Sequence, residues 1–443
     1  NTAVGTEALG LNTTGANNTG IGYIALSTNT TGSQNTAVGS FALGVATTAS
    51  YNSAFGYQAL DTNTTGNQNT AVGRRALYLN TTGSDNTAVG MNCMDSNTTG
   101  NYNVAMGQGA LDNQTTGSNN TIIGYTAGTA LTTGTEHVAL GSGTLAAATT
   151  TAGNVAIGYN ALNECTVGST TAVGYEALGA CTSGAGNTAI GKDACQLTTT
   201  GSYNTVIGQL ALETNQTGND NIAIGREALQ KCTVSDNTAV GYQCMEETTT
   251  GANNTAVGHT CLDSNTTGGQ NVAMGKGSMG ASTTGSNNTS IGYFAMFTNT
   301  TASNNTAVGY AALYDNTTGA GNTCVGESAG NNQTTADYNV CIGKNANENG
   351  TTGHSNTAVG TNAGRNLSTG DNNLLLGFEA GITGSPGGNV NNENNHICLG
   401  DENITEAHIQ VDWTVASDER DKTDFTDLDI GLDFVKQLAP VTY

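Results

Sequence analysis

One spacing governs this chain. In the stretch NTAVGSFALGVATTASYNSAFGYQALDTNTTGNQNTAVGRRALYLNTTGSDNTAVG, residues Asn35, Asn52, Asn69 and Asn86 each open a near copy of one unit, 17 residues apart. With the glycine of NTAVG as marker, the series runs from Gly5 to Gly400 and counts 24 units. The step is 17 except for two steps of 16, Gly158 to Gly174 and Gly225 to Gly241, and a last step of 23, Gly377 to Gly400. A register this strict is the length of one structural coil, and disorder does not hold one.

Helical repeats need about 33 to 47 residues, because each unit must hold two or three helices. A 17-residue unit has room for two short strands and two turns instead. In N-T-A-V-G-x-x-A-L-x-x-N-T-T-G-x-x, the T-A-V segment carries β-branched residues and A-L starts a second short segment. N-T-T-G supplies turn chemistry, since Asn and Gly tolerate positive φ. Only Pro386 and Pro440 lack a backbone donor for a ladder. The expected fold is all-β: a parallel β-solenoid of 24 two-sided coils, which at ~4.8 Å per strand makes a rod on the order of 115 Å long. Composition agrees. Charged residues are 10% of the chain and hydrophobic ones 36%, thin for a large globular core but enough where each coil buries a narrow strip against its neighbours.

Alternation along the strand raises a question. The residue before the marker glycine is apolar, as in Val38, Phe55, Val72 and Val89, and the residue before that is Ala in 16 of the 24 units. Either Ala faces the coil interior and the larger residue is partly exposed, or both faces are buried, one of them against a second chain. The Asn that opens 21 of the 24 units is expected to stack as a ladder, each amide bonding the next.

Units such as NVAIGYNAL (154–162) and NIAIGREAL (221–229) resemble the head repeats of trimeric autotransporter adhesins. That resemblance covers roughly residues 1–377 and implies a left-handed parallel β-roll in a side-by-side homotrimer. After Gly400 the period is lost. In HIQVDWTVASDERDKTDFTDLDIGLDFVKQLAPVTY (408–443), Ile409, Val411, Trp413 and Val415 alternate like a strand. Leu428, Leu432, Val435 and Leu438 recur at helical spacing before Pro440. Residues 417–443 are similar to the start of the endosialidase-type intramolecular chaperone, found at the C-terminus of phage tail fibres and tailspikes. That family implies chaperone-assisted trimerisation. It also implies self-cleavage between Ala416 and Ser417, with Ser417 as nucleophile and Lys422 as its activating base. Such a clamp has a physical rationale, because near-identical coils offer many near-degenerate registers between chains.

Three segments follow: a shaft over 1–377, an irregular last coil or cap over 378–407, and a strand with the start of the chaperone module, a short α/β segment, over 408–443. The chain opens directly on a repeat at Asn1, without Met, and reads as a fragment whose anchoring region lies elsewhere. Six of the ten cysteines replace a small apolar group, Cys324, Cys341 and Cys398 in the strand Ala slot and Cys93, Cys244 and Cys261 in the Ala slot after the glycine. They read as buried thiols, and the absence of a CxxC pair argues against zinc. His137 and His396 replace the repeat Asn, while His259, His354 and His408 stand alone, so neither metal nor cofactor is expected. With 34 acids against 11 bases, a net charge of −23 disfavours nucleic acid and anionic membranes. No segment has the length and apolarity of a membrane span.

The expected function is a structural fibre on a phage virion, serving as spacer and host-attachment element and binding a glycan or surface protein of the host. The alternative is a bacterial surface adhesin or extracellular filament. A substrate-directed enzyme ranks last, because Glu7, Asp61, Asp95, Asp112, Glu176, Glu213 and Glu227 read as scattered single substitutions. The segment FEAGITGSPGGNVNNEN (378–394), the one break in the repeat, is either a receptor loop or a coil cap.

Overall fold

The computed structural model describes residues 1–408 and Gln410. Two units are distinguished, Asn1–Glu402 and a second beginning at Asn403, whose described residues are exposed and form neither strand nor helix.

The first unit is a parallel β-solenoid. Its 24 strands, β1 (Thr2–Val4) to β24 (Ile397–Leu399), are each three residues long. Every strand pairs in parallel with the next without slip, so that Val72 stands opposite Val89 and Ala71 opposite Ala88. Register survives the irregular steps. Val155 meets Thr171 across a 16-residue step, and Leu374 meets Ile397 across the 23-residue one. Missing or extra residues are taken up in the turns.

Each coil has one strand, not two. The A-L segment is a chain of turns in which alternate residues are left-handed, for example Gln58 at φ 56° and Leu60 at φ 52°. Within it, amides two residues apart bond to opposite neighbouring coils. Gln58 N donates to Ser40 O of the preceding coil at 3.0 Å, and Leu60 N donates to Ala76 O of the following coil at 3.0 Å. The ladder therefore continues without strand geometry. A left-handed non-glycine residue costs about 1–2 kcal/mol. Burying a leucine side chain contributes about 1.5–3 kcal/mol, which offsets it, and Leu26, Leu43, Leu60 and Leu77 are fully buried. No side chain fits at the marker glycine: at Gly56, φ is 140° and an added Cβ would lie 2.4 Å from Gly73 O.

Three apolar columns fill the interior: the middle strand residue (Ala37, Ala54, Ala71), the Ala after the glycine (Ala42, Ala59, Ala76) and the Leu beside it. Volume is exchanged between columns. Where Ile122 occupies the strand slot, the Leu slot of that coil is Gly128, whose added Cβ would lie 3.0 Å from Leu131 and 3.4 Å from Ile122. Cores tolerate such swaps when total volume is kept.

Two further interior columns are polar. The opening Asn forms the expected ladder, with a detail the sequence did not specify. Asn69 Oδ1 accepts from the backbone N–H of Asn86 at 3.0 Å and from its Nδ2 at 3.2 Å. Asn69 Nδ2 donates to Gly83 O at 2.9 Å. The amide thus satisfies the backbone at the corner of the coil as much as it bonds its own kind. The Asn of NTTG forms a second buried column, in which Asn80 Nδ2 donates to Asn63 Oδ1 at 2.9 Å and to Gly83 O at 2.9 Å. Buried polar groups need such partners.

Candidate functional site

Ala lies inside the coil, so the larger apolar residue at the end of each strand faces outward. The last residue of each strand is apolar in all 24 coils. These side chains are partly exposed: Phe55 by 41%, Val72 by 38%, Met106 by 38% and Leu140 by 46%. Thr at the first strand position gives way to Val or Ile at Val104, Val138, Val155, Ile222 and Val272. A water-facing strand carries polar residues on its outer side. The result is a contiguous apolar column on the outside of the solenoid, larger than the scattered apolar residues usual on a protein surface.

Charges fall in columns, which the linear sequence concealed. Asp61, Asp95, Asp112 and Glu213 all stand five residues after a marker glycine, with Glu246, Asp263 and Glu348. Glu7, Glu176 and Glu227 stand two after it. Partial burial raises the carboxyl pKa of Asp61, Asp112 and Asp263. Burial also raises that of Asp95, against the lowering effect of the Arg75 guanidinium, which is 2.9 Å away. Counting positions from the marker glycine is the signal that reveals these columns. Glu176 lines a shallow depression of about 270 Å³ with Asn160, Asn163, Glu164 and Gln196, and its carboxylate accepts from Gln196 Nε2.

All ten cysteines are free and buried. Cys324 and Cys341 are register partners in adjacent strands, and Cys165 and Cys181 fall in the column of the NTTG Asn. Burial pushes the Cys93 and Cys195 thiols up to about 12. His137 serves as a ladder Asn: Nδ1 accepts from Asn154 N at 3.2 Å, and Nε2 lies 2.9 Å from Thr151 O. These contacts define the neutral Nε2–H tautomer, and burial lowers its pKa. His354 lies 3.5 Å from Asp337, and His408 lies 3.2 Å from Glu406. Among the described residues no group of His, Cys, Asp or Glu is placed to hold a metal ion, and no helix is long and apolar enough to cross a membrane.

The segment 378–394 is an enlarged coil. Val390 fills its interior at 1% exposure, and Ser385 Oγ accepts from Gly381 N at 3.0 Å and donates to Gly388 O at 3.1 Å. Asn389 and Asn395 accept from Asn366 and Asn372 of the coil before. The strand Ile397–Leu399 follows it and pairs in register with Leu374–Leu376. Ser417, Lys422 and the strand and helix expected over 409–438 lie outside the described residues apart from Gln410.

No model of a known protein family matches the chain, and no curated protein is similar to it. The fold shown is that of an all-β, single-sheet parallel β-solenoid repeat protein.

Proposed function

We propose that the chain forms the shaft of a homotrimeric phage tail fibre, a spacer and host-attachment element, with three solenoids associating through the outward strand face. The observation that carries this is the unbroken apolar column on that face, from Val4 to Leu399. Burying each side chain there contributes a fraction of the ~1.5–3 kcal/mol of full burial. Summed over 24 layers, that fraction exceeds the cost of association, about 4–15 kcal/mol for lost translation and rotation. The fibre assignment within trimeric rods rests on the chaperone-like sequence of 417–443, which fixes the register that identical layers leave open. The adhesin-like coils NVAIG and NIAIG favour a second reading, a trimeric bacterial surface adhesin.

Sedimentation equilibrium tests the association. The intact protein is expected at three chain masses, and a variant with Val72→Lys, Val89→Lys, Val240→Lys and Val257→Lys at lower mass. A wild-type monomer would remove the proposal. Antibody labelling of particles against host cells separates fibre from adhesin. The self-cleavage implied for Ser417 is read by mass: Ser417→Ala stays full length while wild type loses residues 417–443.

A further inference from the structure

The residue immediately after the marker glycine forms its own outward column, and its composition departs from the rest of the rod. Of the eleven Lys and Arg, Arg420, Lys422 and Lys436 follow Gly400 in the sequence and eight precede it. Five of those eight, Arg74, Lys192, Arg226, Lys276 and Lys344, stand in this one column. Over ten consecutive coils, Tyr159 to Tyr310, the column holds five Tyr, three cations, one His and one Gln, and no acid, in a chain whose net charge is −23.

These side chains stack on one another along the axis. Tyr159 and Tyr175 lie 5.3 Å apart at 20°, and Tyr293 and Tyr310 lie 5.6 Å apart at 3°. Lys192 lies 5.6 Å over Tyr175, and Arg226 lies 5.6 Å over Tyr242. Lys192 and Arg226 pair with the next residue in the chain, Asp193 at 3.5 Å and Glu227 at 2.7 Å. They keep their outer ends in water: their side chains are 58% and 55% exposed, against 13% and 11% for the two acids. Lys276 forms no ion pair among the described residues. The marker glycine, at φ 129° in Gly158 and 149° in Gly292, separates this column from the last strand residue by one position along the chain.

We infer that this column, from Tyr159 to Tyr310, is a binding track for an acidic polysaccharide laid along the rod. The partly exposed tyrosines offer a sugar ring apolar edges and hydroxyls, and the rung spacing of ~4.8 Å gives roughly one such contact per sugar. Lys192, Arg226 and Lys276 stand two and three coils apart. That spacing suits a polymer with one carboxylate for every two or three sugars. A nucleic acid strand also stacks on aromatics, but it brings a phosphate for every base, which three cations on an acidic rod do not neutralise. The inference deepens the host-attachment reading by naming the surface and the chemistry it meets.

Affinity electrophoresis of the intact protein tests it, with hyaluronan, which carries one carboxylate per disaccharide, embedded in the gel. Neutral dextran and oligothymidylate serve as comparison ligands. The expected result is retardation by hyaluronan alone, weakened at least tenfold in a Tyr159→Ser, Tyr175→Ser, Tyr293→Ser, Tyr310→Ser variant and several-fold in Lys276→Gln, with wild-type sedimentation mass in both. No retardation of wild type, equal retardation of the variants, or preference for oligothymidylate overturns the inference. So does a fall in mass of the tyrosine variant, which would make the column a contact between copies. A monomeric wild type that still binds hyaluronan would instead sink the trimer and leave the track standing.

Discussion

The polar ladder inside the solenoid has a natural break that makes its energetics measurable in both directions. Thr170 stands where 21 other coils have Asn. Its N–H still donates to Asn154 Oδ1 at 3.0 Å, but its hydroxyl turns to Gly168 O at 3.3 Å. The next rung, Asn187, keeps its side-chain bond to Gly201 O at 2.8 Å, while its buried backbone N–H has no acceptor of the kind Asn69 Oδ1 supplies to Asn86. An unsatisfied buried donor costs about 1–3 kcal/mol. Thr170→Asn should recover that amount and Asn69→Ala should lose it, each at one identifiable amide. In hydrogen exchange, 1–3 kcal/mol corresponds to about a 5- to 150-fold change in local protection. Wild type should show faster exchange at Asn187 than at Asn86. Thr170→Asn should slow Asn187, and Asn69→Ala should speed Asn86, with distant coils unchanged. Equal protection of the two amides in wild type, unmoved by either substitution, would refute the claim that the ladder satisfies the backbone.

Three further outcomes follow from the same geometry. His137 is held neutral with its pKa below the usual 6.5, so the unfolded chain binds the proton first. Stability should be full above pH about 6.5 and fall as pH drops below it, a slope that His137→Asn removes in denaturant titrations at pH 5 and 7.5. The ten thiols should resist a maleimide reagent in the folded protein and react once it is unfolded, because all are buried and thiolate is the reactive form. In the same denaturant titrations, Gly56→Ala should cost at least ~2–3 kcal/mol, from left-handed strain and a Cβ 2.4 Å from Gly73 O. Thr13→Ser, on an exposed turn and with the hydroxyl kept, should stay within ~0.5 kcal/mol of wild type.

The coil length, the parallel register and the opening Asn ladder were legible because each is a property of the period. Strand burial was only half legible: Ala inside and Val outside share one alternation with the reverse, and the choice depends on where the turns close. The A-L segment misled because a leucine such as Leu60 in left-handed conformation contradicts local propensity. The coil accepts that conformation since it points the amide at the next coil and the side chain at the core. The buried role of the NTTG Asn was hidden behind its turn chemistry. The acidic columns and the Tyr–cation column were present as fixed offsets from the marker glycine, yet single substitutions read along the chain conceal what stacking at one rung per coil assembles.

The outward strand face as a three-chain interface is tested most directly by distance. A spin label at Ile207→Cys on that face, with the native thiols buried, is to be compared with one at Leu197→Cys on the turns of a neighbouring coil, both exposed positions. Pulsed dipolar spectroscopy should give a single inter-chain distance of a three-spin cluster at residue 207, shorter than the one at residue 197. No dipolar coupling at either position, or the shorter distance at residue 197, would contradict the account.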